Sequence, residues 1–248
     1  LDDITEPGGK VRPGIFGLLS EASCAELNGQ STCVPKEELR KAADSANLGD
    51  LGVPAWAIAD AARAEPGRRL EGLIMPGVYD VRPGSTAEQL LKKVITDSSA
   101  TLEAVGMPTI SESTGFRPYE VLVMASLVER EAIERDFGKV ARVTYNRIAK
   151  SMRLEYDSTV NYVLDRPQIR TDAADRDRVG PYNTYANTGL PPTPISSPSK
   201  KAFEAVSKPD DGPWLYFVKC QKDGTSCFAE TEAEHDNNRR EALARGAY

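Results

Sequence analysis

A nearly uninterrupted apolar run, Val121-Leu122-Val123-Met124-Ala125-Ser126-Leu127-Val128, ends on Glu129-Arg130-Glu131. Pro118 opens it, and Val121, Ala125, Val128 and Ala132 fall on one helical stripe, with apolar residues on the other faces too. The pattern therefore predicts a central, buried helix. Residues 1–13 are polar, with Gly8-Gly9 and Pro13, and read as loose. Phe16 to Arg63 reads as short helices, one opening at Val34-Pro35-Lys36-Glu37-Glu38, and Glu65-Pro66-Gly67 makes a break. Leu73 to Val81 reads as an irregular strand interrupted by Pro76-Gly77. Ser85 or Thr86 caps a helix through Leu91 to Ile95, with Glu88 near its third position. Phe137 to Ile148 is amphipathic and helical. Met152 to Tyr156 alternates like a strand, and Asp157 is placed to cap the helix that follows. Pro191, Pro192 and Pro194 force an extended loop after Pro181-Tyr182-Asn183-Thr184-Tyr185. Ser199 to Val206 reads as a helix, Trp214 to Val218 as a strand, and the tail from Thr231 as a charged helix. The class is α+β, with a small, mostly helical N-terminal region at 1–67 and a second domain at 68–248.

Composition narrows the partners. With 40% hydrophobic and 27% charged residues the chain is an ordinary globular protein. Its net charge of -6, with Lys and Arg dispersed, argues against a nucleic-acid partner. No run approaches the roughly 18 apolar residues that span a bilayer. Leu1-Asp2-Asp3 is no signal peptide and suggests a processed fragment whose anchor or signal lies outside this chain.

Four cysteines form two local pairs, Cys24 with Cys33 and Cys220 with Cys227. Asp223-Gly224 reads as a two-residue hairpin turn, and counting outward sets Cys220 directly opposite Cys227. Two disulfides and an oxidising location are favoured; the alternative is free, partly buried thiols. Neither pair has metal-ligand spacing and the chain has one histidine, His235, so no metal is expected.

A carboxylate closing an apolar helix is costly to half-bury unless its altered proton affinity is useful, which singles out Glu129. Glu131 is two residues away and on nearly the opposite helix face, so the two cannot enter one cleft together. Ser126 shares the Glu129 face. The ordinary reading of a helix-end Glu is an exposed or salt-bridged carboxylate, and composition alone does not overturn it. The chain has no GxSxG elbow, no phosphate-cradling loop and no HExxH. Ser-His-Asp catalysis would have to recruit His235 from the charged terminal helix.

Several stretches in order resemble the endolytic murein transglycosylase family, the membrane-anchored lytic transglycosylases with a YceG-like domain. They are Leu70-Glu71-Gly72 with Pro76 and Tyr79, Ser126 to Glu131, Asn146-Arg147-Ile148, and Met152-Arg153-Leu154 with Asp157 and Thr159-Val160. Tyr182 to Tyr185, Gly189 to Pro192 with Pro194-Ile195, Trp214 to Val218, Phe228 and Glu234-His235 complete the series. The resemblance covers residue 68 to the end. Glu155 stands where the family usually has Gln, Ser158 where it has Pro, and Ser226 where it has His. The family's transmembrane helix and most of its LysM-like module are not recognisable in residues 1–67, which would be a remnant of that module.

The resemblance implies cleavage of the MurNAc–GlcNAc β-1,4 bond of peptidoglycan with formation of a 1,6-anhydro end. It makes Glu129 the acid/base and places Asn146, Glu155, Asp157, Tyr182, Asn183, Thr184, Tyr185 and His235 at the substrate, Glu155 as a second carboxylate near the cleft. It implies no cofactor, glycan strands and cell-wall synthases as partners, and the extracytoplasmic face of the bacterial membrane as location. Two alternatives stand beside it: a non-catalytic peptidoglycan-binding or scaffold module, and a hydrolytic muramidase pairing Glu129 with Glu155 or Asp157.

Overall fold

The computed structural model describes residues 1–5, 9–27, 29–164 and 172–247; residues 6–8 of the expected loose start lie outside them. The chain forms two compact units, one built on Leu1–Pro108 and the other on Thr109–Val163 and the described part of Arg170–Tyr248. Helices joined to two-stranded antiparallel sheets make it an α+β protein.

In the first unit, β1 (Ile4–Thr5) pairs with β2 (Val11–Arg12), giving order to part of the polar start. Helix α1 (Ile15–Ala22) leads into the hairpin β3 (Ala25–Leu27) and β4 (Gln30–Thr32), whose ends Cys24 and Cys33 are joined by a disulfide. Helices α2 (Lys36–Ser45) and α3 (Ala55–Ala61) follow. Helix α4 (Ala87–Ala104) is capped by Thr86 in a box closed by Gln89, not by Glu88, and runs well past Ile95. The expected strand at 73–81 does not form. Leu73, Ile74 and Met75 are buried in turns, where the Met75 N–H donates to Ser98 Oγ (3.0 Å) and the Tyr79 hydroxyl bonds the Met75 carbonyl. Ser98 on α4 thus takes the donor a strand neighbour would have taken. The Leu1 amino group donates to Glu71 (3.4 Å) and Ser99 to the Gly52 carbonyl (2.8 Å), so Leu70–Met75 and α4 belong to the same body as the first 67 residues. The compact units divide after Pro108, not at the Glu65-Pro66-Gly67 break.

The second unit starts with α5 (Ile110–Thr114) and is organised around α6 (Pro118–Glu131), in which every residue from Val121 to Val128 is buried. Around it pack α7 (Phe137–Ala149), α8 (Asp157–Asn161) and, beyond α9 (Ala173–Arg176), α10 (Lys200–Ser207). Leu127, Leu154, Tyr156, Tyr182 and Ile195 form one buried cluster that binds the proline-rich loop to α6. Met152–Tyr156 keeps the burial alternation of a strand, with Leu154 and Tyr156 buried and Glu155 outward. Apart from a bridge between Arg153 and Thr188 it is not one, because Glu155 adopts φ +54, outside the strand region.

Strands β5 (Tyr216–Lys219) and β6 (Ser226–Ala229) pair in the register Lys219↔Ser226, which leaves residues 220–225 between the strands. Cys220 therefore lies diagonal to Cys227, and the disulfide forms across that diagonal (Cα–Cα 5.6 Å). Asp223 sets the longer loop: its carboxylate accepts from the Thr225 N–H (3.0 Å) and hydroxyl (2.6 Å), while Gly224 takes φ +94. The Cys220 side packs on Ala242 of α11 (Glu232–Arg245), which Thr231 and Glu234 cap as a box.

Candidate active site

Helix α6 presents its two terminal carboxylates to different surroundings. On one face the Ser126 hydroxyl accepts from the Ile195 N–H (3.1 Å), and the Ser126 carbonyl accepts from the Ser196 hydroxyl (3.0 Å). Farther along that face Glu129 Oε2 accepts from the Ser199 N–H (2.9 Å). Ser199 is the N-cap of α10, its own hydroxyl taking the Ala202 N–H (3.3 Å). Glu129 is thereby bonded to a helix N-terminus, where a carboxylate is favoured by the unpaired N–H groups.

Glu131, on the other side, meets the first turn of α8. Its Oε1 accepts from the Ser158 N–H (3.2 Å). Burial pushes its carboxyl from the ordinary 4.5 up to about 7; Asp157 adds to the rise, and Ser158 and Arg130 oppose it. The residue still keeps some surface open to solvent. Asp157 does not cap α8; its Oδ1 accepts from the Tyr185 hydroxyl (2.6 Å) and lies 3.4 Å from Arg176. The Arg176 guanidinium also sits over the Tyr185 ring, 5.0 Å from its centre. Burial, then the bond to Asp157, raises the Tyr185 pKa, so its hydroxyl stays a donor. The Asp157 and Arg176 side chains retain 37% and 41% of their exposure, which leaves this group open to an outside molecule.

The remaining expected residues divide between scaffolding of this site and a second grouping. Asn183 is buried and donates to the carbonyls of Arg176 (2.6 Å) and Arg178 (2.7 Å), while its Oδ1 accepts from the Tyr185 N–H (2.9 Å). It locks the end of α9 to the turn carrying Tyr185. Thr184 Oγ1 accepts from the Tyr156 N–H (2.9 Å) and meets Thr159 Oγ1 (2.9 Å), stitching the turn to α8. Tyr182 is a core residue whose hydroxyl meets Thr193 (2.7 Å). Asn146 donates to the carbonyls of Gly212 (3.0 Å) and Trp214 (2.9 Å), fixing the approach to β5. Glu155 pairs with the buried Arg147 (3.2 Å), whose guanidinium also takes the carbonyls of Arg153, Leu154 and Leu215. It is not among the groups that act on Glu131. Arg147 lies over one ring, Tyr216, on which His235 also stacks at 5.3 Å. Burial, then Arg239 and Arg147, lowers the His235 pKa. Among the described residues no cluster of His, Cys, Asp and Glu could hold a metal.

Two residues of the site escape a reading by pattern. Glu131 follows the apolar run by only three positions and looks like a solvated helix end. Arg176 is brought in by α9, whose Asp172–Asp175 capping box is visible as D-x-x-D but says nothing of what the helix carries.

The model of the YceG-like family matches residues 10–241. A relative from Bacillus subtilis (strain 168), named endolytic murein transglycosylase, is 35% identical over 169 residues, 67% of this chain and 46% of that protein. One of the same name from Streptococcus pneumoniae (strain ATCC BAA-255 / R6) is 32% identical over 176 residues, 68% of this chain and 32% of that protein. The chain thus spans half or less of the length of these relatives. The crystal structure of a YceG-like protein from Listeria monocytogenes matches with a TM-score of 0.75 at 30% identity, covering 82% of this chain and 67% of that one. The family model accounts for both units, and the chain belongs to the YceG-like family.

Proposed function

We propose that this chain is the catalytic part of a peptidoglycan lytic transglycosylase, with Glu131 as its single acid/base. The observation that carries the reading is one carboxyl desolvated enough to hold its proton near neutrality, set beside the partly open Asp157, Tyr185 and Arg176. The names of the relatives support the same reaction class. Protonated Glu131 gives its proton to the glycosidic oxygen as the C1–O bond between MurNAc and GlcNAc breaks. The resulting carboxylate then takes the proton of the MurNAc C6 hydroxyl as its oxygen bonds C1. A 1,6-anhydro ring forms, no water is consumed, and Glu131 ends in its starting state. Glu129, bonded to Ser199, and Glu155, paired with Arg147, are occupied elsewhere.

An extracytoplasmic location belongs to the proposal, and the two disulfides suit an oxidising compartment. Among the described residues no helix is long and apolar enough to cross a membrane. Contact with cell-wall synthases rests on the family resemblance alone. A second reading, a hydrolytic muramidase, is favoured by the carboxylate of Asp157 near Glu131. Mass spectrometry of digested glycan strands separates the readings. Anhydro ends from the wild type and none from Glu131→Gln are expected; reducing ends would show a hydrolase, and intact strands a binding module.

A further inference from the structure

Asp157 stands next to Ser158, whose N–H holds Glu131, and its carboxylate bonds Tyr185 and pairs with Arg176. Those partners are themselves fixed. Asn183 ties the Tyr185 backbone to the end of α9, and the Arg176 guanidinium rests on the Tyr185 ring. Asp157 thus stands one residue from the N–H that holds Glu131, and its negative charge disfavours ionisation of Glu131. We infer that Asp157 is a positioning residue: fixed by Tyr185 and Arg176 at the head of α8, it sets a negative charge against Glu131 and keeps Glu131 in its acid form.

This rests on Glu131 being the acid/base. Among the described residues, the groups coupled electrostatically to Glu131 are Asp157 and Arg130, with the phenols of Tyr156 and Tyr185 coupled in return. Arg130 belongs to α6 itself and opposes the effect of Asp157. Both phenols are raised by burial and stay neutral through the working range. Of these groups, Asp157 alone adds negative charge, so removing it leaves burial to hold the proton unaided. Neighbouring like charges resist joint ionisation, and a shift of about one pH unit is the expected size.

The test compares pH profiles of glycan-strand cleavage for the whole chain and its Asp157→Asn variant, with thermal unfolding as a check on the fold. The expected result is an alkaline limb moved down by about one pH unit, with the acid-side plateau kept within about tenfold. Superimposable limbs would overturn the inference. So would a folded Asp157→Asn protein inactive at every pH, since Asp157 would then touch the reacting atoms. Should Asp157→Asn not fold, Arg176→Gln takes its place; stripping Asp157 of its cation should move the limb upward, and an unmoved limb overturns the idea. Carbon NMR titration of the Glu131 carboxyl in the same proteins reads the coupling without turnover. Loss of the acid/base reading, seen as an active Glu131→Gln, is thus distinguishable from loss of the Asp157 coupling.

Discussion

Glu131 holds its proton near neutrality because burial withholds water from the ionised carboxylate, and this affects stability as well as chemistry. Its folded value of about 7 lies above the ordinary 4.5. Between those values the unfolded chain has released the proton while the folded chain keeps it, so stability falls as pH rises through this window. Below the window the penalty is absent, and above it the penalty is complete. Glu131→Gln carries no such penalty. Denaturant unfolding should therefore find the variant more stable than the wild type at pH 8, by up to ~3 kcal/mol, with the advantage gone below pH 5. An advantage equal at both pH values would mean that Glu131 is not desolvated. Helical spacing separates Glu129 from Glu131, but it cannot say which face carries chemistry. Both faces are apolar up to Val128. The choice depends on Ser199 and Ser158, which are 70 and 27 residues away along the chain.

Among elements, α6 joins the two roles, one face clamping α10 and its far end meeting α8. The clamp gives Glu129 a mechanical task. Glu129→Gln keeps the shape but replaces a charged acceptor at a helix N-terminus with a neutral one. A loss of about 1 kcal/mol in thermal or denaturant unfolding is expected, with glycan cleavage retained below the transition. Abolished cleavage in a folded Glu129→Gln protein would return the acid/base role to Glu129. Elements with local punctuation were legible in the sequence: Pro118 opens α6, Ser199 caps α10 and Thr231 caps α11. Those decided by distant partners were not. The hairpin register follows from the Asp223 carboxylate bonding Thr225, and the tip is held by Arg135 to Asp223 (2.5 Å) and Asp136 to the Ser226 N–H (2.7 Å). Counting outward from Asp223-Gly224 finds the disulfide but misplaces its partners by two positions. The alternation at Met152–Tyr156 reports burial faithfully, while the left-handed turn at Glu155 that ends strand geometry leaves no mark in the pattern.

Across the whole molecule, every residue of the candidate site belongs to the second unit, and the Cys24–Cys33 disulfide to the first. Replacing that pair by Cys24→Ser with Cys33→Ser should lower stability by about 2–3 kcal/mol through loop entropy. The pH profile of cleavage, measured below the unfolding transition, should not move; a shifted limb would contradict the assignment of all site residues to the second unit. The boundary between the units hides in the sequence because Glu65-Pro66-Gly67 is a turn inside the first body, fastened by Asp44 to the Gly67 N–H. The value of about 7 at Glu131 has a further consequence on the outer side of the membrane, where the proposed function places the site. A cytoplasmic enzyme is buffered by the cell, but there the acidity is that of the growth medium. Fewer of the molecules would hold this proton as the surroundings become more alkaline than that value. Alkaline surroundings would slow cleavage of the wall without any regulator, and mildly acidic ones would release it.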